Sequence, residues 1–193
     1  MLLFVCYNLG MKVVVQRVTD ANCKVDGNNY ISFQVKEVST LAQIRMEMIA
    51  INTGSNYSTL KLTSDITLSF DDSRIAINIS KPIQFDLNNH TLGSSTFKGY
   101  SFYVNSESAV SIINGKIQTL AASGYDQKVS PSCICVNKAL TFRTTDCSLE
   151  CRAERGYCFI DDFGAKETKI KINNVQMNAV LVAVGIQCAD YLV

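Results

Sequence analysis

The stretch RIAINISKPIQFDLNNHTLGSSTFKGYSFYVNSESAVSIINGKI, from Arg74 to Ile117, contains one unit written twice. In each copy a short β run is followed by a polar break and a second alternating run. The copy then closes on Asn, two further residues and an aliphatic side chain. Aligning Leu92 with Ile117 places Asn89 over Asn114. A unit of this size buries its apolar face only by stacking on its neighbours, so the repeat predicts an array.

Two weaker copies follow, and their closing aliphatic residues are Leu149 and Met177. The four closing residues are separated by 25, 32 and 28 positions. Each copy carries apolar residues in alternation, which is the pattern of a strand with one buried face. We therefore expect a solenoid in which four coils stack in this register.

The same register predicts a column of four polar residues at one corner of the coils: Asn89, Asn114, Asp146 and Asn174. Asn and Asp accept the left-handed backbone conformation that a sharp corner requires. Their side chains can also bond to the backbone of their own coil and to the next residue of the column. The alternative interpretation is that asparagine is simply common after strands.

The phrases KPIQFDLNNHTL (Lys81 to Leu92) and VSIINGKI (Val110 to Ile117) resemble parallel β-helix proteins of the pectate-lyase-like superfamily, in particular the tailspikes and fibres of phages and viruses. The resemblance covers Leu60 to Met177. It implies an all-β fold, a right-handed parallel β-helix with a small N-terminal β or capping element. It also implies a structural or glycan-facing shaft that is often a homotrimer.

We expect residues 1–58 to form an N-terminal β hairpin with a cap or docking element, and residues 59–193 to form the β-helix. The hairpin is predicted around Asp26-Gly27-Asn28-Asn29, because Gly and Asn accept positive φ between two alternating runs. The stretch STLAQIRMEMIAI, which begins at Ser39, fits both helical and strand spacing. We interpret it as a cap that covers the edge of the first coil.

The composition describes a folded chain without a dominant charge. Of 193 residues 47% are hydrophobic and only 2 are proline, which excludes general disorder. A net charge of +1 is not the strongly basic charge that is typical of nucleic-acid-binding domains, so we expect no nucleic-acid partner. We also expect no membrane span, because no segment approaches the roughly 20 apolar residues that a helix needs to cross a bilayer.

Both ends of the chain are apolar. The opening MLLFVCYNLG lacks a basic region and a clear cleavage site, so it is a poor signal peptide. We expect synthesis in the cytoplasm and, from the resemblance, a final location on a virion or an extracellular surface. The closing segment AVLVAVGIQCADYLV, from Ala179, must be buried in a last coil or an interface. We therefore expect a homo-oligomer, as a trimer, and contacts with other assembly or virion proteins.

The chain has 8 cysteines and a single histidine, His90. No CxxC pair is present, and His90 is far in sequence from the cysteine-rich part. We expect reduced thiols that act as small hydrophobic side chains inside the coils, with disulfides or a metal site as the alternatives. No metal and no cofactor is predicted.

The polysaccharide-cleaving members of the superfamily imply that acidic and basic side chains would be grouped on an outer face. The candidate clusters are Asp71-Asp72 with Arg74, Glu150 with Arg152 and Arg155, and Asp161-Asp162. Turns collect acids for conformational reasons, so we interpret these clusters as solvated and nominate no catalytic residue. In the loop between Thr119 and Ser132, Tyr125 beside Asp126 is a candidate glycan-binding pair, and a plain loop tip is the alternative.

These observations favour a non-enzymatic structural protein of the virion type, such as a phage or viral fibre, spike or capsid-decorating subunit that can contact a glycan. One alternative is a polysaccharide lyase or glycosidase on the same fold. A glycosidase would need two carboxylates about 5 to 10 Å apart on one face. The other alternative is a carbohydrate-binding module without turnover.

Overall fold

The structure is a computed structural model that describes residues 34–53, 58–68, 74–94, 99–120, 132–152, 156–161, 168–179, 184–185 and 190–191. One helix, α1 (Leu41–Asn52), lies near the start of this part of the chain. The strands are β1 (Val35–Val38), β2 (Thr59–Leu62), β3 (Ile66–Thr67), β4 (Ile75–Ile79), β5 (Ile83–Asp86), β6 (Thr91–Ser94), β7 (Tyr100–Asn105), β8 (Ala109–Leu120), β9 (Ser132–Lys138), β10 (Thr141–Arg152), β11 (Tyr157–Asp161), β12 (Lys169–Ala179), β13 (Val184–Gly185) and β14 (Asp190–Tyr191).

The strands form two parallel sheets. The long sheet has the order β1-β2-β5-β8-β10-β12-β14, with β3 and β6 pairing beside that path, and the short sheet has the order β13-β11-β9-β7-β4. Neighbours in each sheet come from successive passes of the chain, so the strands stack as a β-solenoid of about 4 turns, and 68% of the described residues are in strands. The predicted all-β class and the parallel β-helix architecture are confirmed.

Each full coil contains one strand of the short sheet followed by strands of the long sheet. We number them coil 1 (residues 75–94), coil 2 (100–120), coil 3 (132–152) and coil 4 (157–179). Leu92 pairs with Ile117, Ile117 with Leu149, and Leu149 with Met177. The register predicted from the sequence is therefore confirmed along the whole stack.

The core lies inside the coils, where the apolar half of each alternating strand points inward. Phe85 of the long sheet meets Phe102 of the short sheet edge to face, with ring centroids 5.0 Å apart. Two coils further along, Phe142 and Phe159 repeat the contact at 5.7 Å. All four rings are fully buried, so aromatic pairs bridge the two sheets and fix the width of the solenoid.

The N-terminal edge of the stack is covered by α1. Thr40 is the N-cap, and its side chain accepts a hydrogen bond from the backbone N–H of Gln43 at 3.2 Å. The helix buries Ile44 and Met48, while Ile49 on its outer face is exposed. Of the two spacings that this stretch fits, the helical one therefore describes the structure.

The start of the described chain adds one strand before the helix. β1 pairs in parallel with β2, and Val35 lies beside Thr59. The predicted hairpin falls outside the described residues except for Gln34 and Val35, its last two residues. The domain boundary between residues 58 and 59 stays a prediction.

Candidate functional site

A row of four side chains crosses the outer face of the long sheet: Gln84, Ser111, Arg143 and Lys171. Successive side chains of a strand point to opposite faces, so each member of the row neighbours a buried residue. Neighbouring strands are about 4.8 Å apart, and the row therefore spans three such steps. The coils bring into contact residues that are far apart in the sequence.

The row lies in an open groove with a volume of about 1110 Å³. Its lining is rich in hydroxyl and amide groups, and Lys81 and Pro82 also line it. The other hydroxyl and amide residues in the lining are Ser58, Thr53, Thr141, Thr145 and Asn114. The apolar residues among them are aliphatic, and none of the described lining residues is aromatic. This lining suits a polar ligand with many hydrogen-bonding groups.

The groove carries more positive than negative charge. Lys81, Arg143 and Lys171 line it, and Asp146 is the one acid among the lining residues that the structure describes. Asp146 already accepts a hydrogen bond from Asn174, with Nδ2 at 2.6 Å from Oδ1. Among the described residues, no ion pair involves any of the three cations. An anion is the ligand that this charge distribution favours.

One pair of these cations is held side by side by the fold. Arg143 on β10 is the register partner of Lys171 on β12. Like charges directly opposite on neighbouring strands are destabilising. A bound anion between the guanidinium and the ammonium would remove this repulsion, and Arg can bind an oxyanion with two parallel hydrogen bonds.

The predicted corner column borders the groove. Its four members have positive φ, at 64° for Asn89, 59° for Asn114, 54° for Asp146 and 49° for Asn174. Asn114 donates from Nδ2 to Oδ1 of Asp86 at 3.1 Å, and its carbonyl accepts from the backbone N–H of Asn89 at 2.6 Å. The structure thus places the column at a shared corner, where side chains and backbone link successive coils.

A second polar cluster lies on the outer face of the other half of the long sheet. Glu150 is only 6% exposed, and its carboxylate contacts Lys116 Nζ at 2.8 Å, Arg152 Nε at 2.5 Å and Gln118 Nε2 at 2.9 Å. The hydrogen bond from Lys116 is the main reason that the pKa of Glu150 lies below its usual value. The cluster unites two residues of the predicted Glu150, Arg152 and Arg155 group, and Arg155 lies outside the described residues.

The remaining candidates are only partly described. Tyr125 and Asp126 lie outside the described residues, as do Asp71, Asp72 and Asp162, and the side chain of Asp161 is not described. Arg74 is exposed and has a φ of 60°. Nothing in the described part of the chain brings Arg74 to the groove.

The metal alternative has no described site. In the part of the chain that the structure describes, no three His, Cys, Asp or Glu side chains are grouped so that they could hold a metal ion. His90 instead faces Asp65 across one coil step, with Nδ1 at 3.3 Å from Oδ1. The five described cysteines are free and buried inside the coils, which is the predicted location: Cys133, Cys135, Cys147, Cys151 and Cys158.

Sequence reasoning did not identify the row of Gln84, Ser111, Arg143 and Lys171, which we call the cation row after its two basic residues. Ser111, Arg143 and Lys171 are separated by 32 and 28 positions, which are the spacings of the predicted column. Extending the register to outward-facing positions would have aligned them. The signal was present, but it becomes visible only when the coils are laid over one another at the outer face as well as at the core.

Among the described residues, no helix combines the length and the apolar character that crossing a membrane requires. A scan against protein-family models, a search of curated proteins and a search of solved structures each found no match to this chain. The fold and the groove are therefore the basis for the function argued below.

Proposed function

We propose that this chain is a non-enzymatic structural subunit of the fibre, spike or capsid-decorating kind, and that its groove binds an acidic glycan. The observation that carries the proposal is the Arg143–Lys171 pair in an open groove. Both cations lie on the outer face of the sheet, and Lys81 adds a third positive charge to the lining. A chain with a carboxylate on successive sugars would supply anions along such a row.

The chemistry of the lining favours a glycan over a single-stranded nucleic acid. Sites for single strands combine cations with aromatic side chains on which bases stack. The described lining of this groove has aliphatic side chains and no aromatic ring. Gln84, Ser111 and Thr145 instead offer donors and acceptors that match sugar hydroxyls.

The acid content of the groove supports binding without turnover. Hydrolysis of a glycoside uses a pair of carboxyl groups on either side of the bond. Asp146 is the single acid in the described lining, and its side chain accepts a hydrogen bond from Asn174. The more buried Glu150 is held by Lys116 and Arg152, a pairing that keeps it charged rather than free to donate a proton.

The structural role is supported by the form of the solenoid. In-register coils with a continuous core give a stiff shaft whose outer positions are free to carry contacts. The cap helix exposes Met46 and Ile49, at 60% and 64%, on its outer face. Exposed apolar side chains of this kind suit a subunit contact, and we include a homotrimer and a virion or extracellular location in the proposal.

The proposal is tested by calorimetric titration with alginate, a linear uronic acid polymer, and with the same polymer after its carboxyl groups are reduced. The full chain should bind alginate, and binding should weaken as salt is added, because exposed charges are screened. The double variant Arg143→Ala, Lys171→Ala should lose at least tenfold in affinity. Lys138→Ala is the matched control, since Lys138 is an exposed cation outside the groove that pairs with Glu107.

Two results would overturn the glycan assignment. If the polymer with reduced carboxyl groups bound as tightly as alginate, the basic side chains of the cation row would not be responsible for binding. Tighter binding of single-stranded DNA than of alginate would replace the glycan by a nucleic acid. Sedimentation equilibrium on the same sample tests the assembly, for which a trimer is expected and a monomer across the concentration series would contradict it.

A further inference from the structure

Two columns of small side chains meet at the corner where the long sheet of one coil leads to the short sheet of the next. One column comes from the short sheet and contains Ala76, Ser101, Cys133 and Cys158, whose neighbours on either side are register partners. The other comes from the long sheet and contains Ser94, Thr119, Cys151 and Ala179. All of these side chains except Ala179 are buried.

The chemistry of the columns changes along the stack. In coils 1 and 2 they hold methyl and hydroxyl groups, and Ser101 Oγ lies 3.1 Å from Thr119 Oγ1. In coils 3 and 4 thiols take the same positions at Cys133, Cys151 and Cys158. Serine and alanine therefore fit this corner as well as cysteine does, and packing alone does not explain the change to thiols.

Two of the sulfur atoms are lodged against one short segment of β10. Cys133 Sγ lies 3.4 Å from the carbonyl oxygen of Glu150, and Cys158 Sγ lies 3.2 Å from that of Leu149. These carbonyls belong to consecutive residues, so both sulfurs contact the same short segment of β10. The thiol of Cys133 is also the main cause of the lowered pKa of Cys158.

We propose that Cys133 and Cys158 are a redox pair whose oxidation joins coil 3 to coil 4 by a disulfide. The residues that flank them are register partners, Ser132 with Tyr157 and Ile134 with Phe159, so the two cysteines lie on adjacent strands. Adjacent strands are about 4.8 Å apart, which is within the roughly 4.4–6.8 Å that disulfide-linked Cα atoms span. This proposal does not depend on the groove or its ligand.

The reaction is thiol–disulfide exchange with a small-molecule disulfide. The hydrogen bond from Cys133 lowers the pKa of Cys158, whereas burial raises the pKa of Cys133. Cys158 therefore loses its proton first and attacks one sulfur of the oxidant, so that a mixed disulfide forms, the S–S bond of the oxidant breaks and its other sulfur leaves as a thiolate. Cys133 then attacks the mixed disulfide, its proton passes to solvent, and the second half of the oxidant leaves. Two electrons have moved from the protein to the oxidant, which ends as two thiols.

The consequence is a covalent link between coil 3 and coil 4. The disulfide forms in an oxidising compartment, whereas the two thiols stay reduced in a reducing cytoplasm. Because both thiols are fully buried, the oxidant reaches them only when β11 opens locally, so the reaction should be slow. Once closed, the bond prevents β11 from separating from β9. We expect the oxidised chain to melt about 5–10 °C higher than the reduced chain.

The test uses the full chain incubated with oxidised glutathione, followed by alkylation of free thiols and mass spectrometry of the peptides. The expected product is a peptide pair joined through Cys133 and Cys158, together with the rise in melting temperature. Cys158→Ala and Cys133→Ser should fold, because alanine and serine occupy the same column at Ala76 and Ser101. Neither variant should show the rise in melting temperature after oxidation.

Cys147→Ser is the matched control, since Cys147 is a buried thiol on β10 outside the two columns and the rise should persist without it. A linkage of Cys151 to either partner would overturn the assignment of the pair. A chain that stays fully alkylated after prolonged oxidation in mild denaturant, where β11 opens, would overturn the proposal altogether.

Discussion

Arg143 on β10 and Lys171 on β12 are register partners on the outer face of the long sheet, so two basic residues occupy neighbouring positions on adjacent strands. Both line the groove, and no described carboxylate forms an ion pair with either of them. The free protein therefore maintains a repulsion that an anionic ligand would relieve. Positions like these, where stability is reduced at an exposed site, are typical of binding surfaces.

The repulsion predicts that a charge reversal stabilises the free protein. Lys171→Glu turns the like-charged pair into an opposite-charged one, and we expect the free energy of unfolding to rise by about 0.5 kcal/mol. The same variant should bind alginate at least tenfold more weakly. Urea denaturation measures the first effect. Lys171→Gln is the control because it removes the repulsion from Arg143 without adding an attraction, so its stability should lie between those of the unaltered chain and Lys171→Glu. The account fails if Lys171→Glu is less stable than the unaltered chain.

Two glycines differ in the room that they leave for a side chain. A Cβ at Gly115 would lie 2.4 Å from Leu87 Cβ and 2.7 Å from the carbonyl oxygen of His90, whereas a Cβ at Gly93 meets nothing closer than 3.8 Å. We expect Gly115→Ala to destabilise the fold by about 1–3 kcal/mol. Gly93→Ala should change it by less than about 0.5 kcal/mol. Equal denaturation midpoints would show that the coils are not stacked in this register.

The corner column should contribute through both its backbone and its side chains. Asn114→Ala forces a left-handed conformation on alanine, at a cost of about 1–2 kcal/mol, and removes the bond to Asp86, worth about 1 kcal/mol. Asn114→Gly keeps the conformation and loses only the bond. We expect alanine to be the more destabilising change in thermal unfolding, and the reverse order would argue against the left-handed corner.

Because of Glu150, the stability of the folded chain should decrease at acid pH. Its pKa in the folded chain is lowered from 4.5, chiefly by the hydrogen bond from Lys116, so its contribution is present above that pH and is lost as the pH falls. Glu150→Gln should cost about 1–3 kcal/mol at pH 7 and flatten the fall in melting temperature between about pH 5 and pH 3. Glu107→Gln, at an exposed ion pair, should leave the pH profile unchanged.

The core register was readable from the sequence because burial imposes a strict period. Leu92, Ile117, Leu149 and Met177 close four apolar alternations, and a one-residue slip would turn each inward face outward. The helix was harder to predict. The stretch that became α1 fits two periods, and the choice between them depends on packing against the first coil, which buries Ile44 and leaves Met46 exposed.

The groove was not readable in the same way. Outer-face residues such as Arg143 and Lys171 have no burial constraint, so they are recognised as a pair only when the register of the core is extended to the outer face. Their proximity follows only from the register of β10 and β12. The proposed site on Tyr125 and Asp126 used a local pattern instead, and that loop lies outside the described residues.

The most direct measurement is the chain-length distribution of alginate recovered after saturating incubation with the full chain, in the same sample whose binding is followed by calorimetry. We predict that alginate binds, that Arg143→Ala with Lys171→Ala abolishes the heat of binding, and that the polymer is recovered at its original length. Shortened polymer would show that the groove catalyses cleavage. Recovered full-length polymer without any heat of binding would show that the cation row has another ligand.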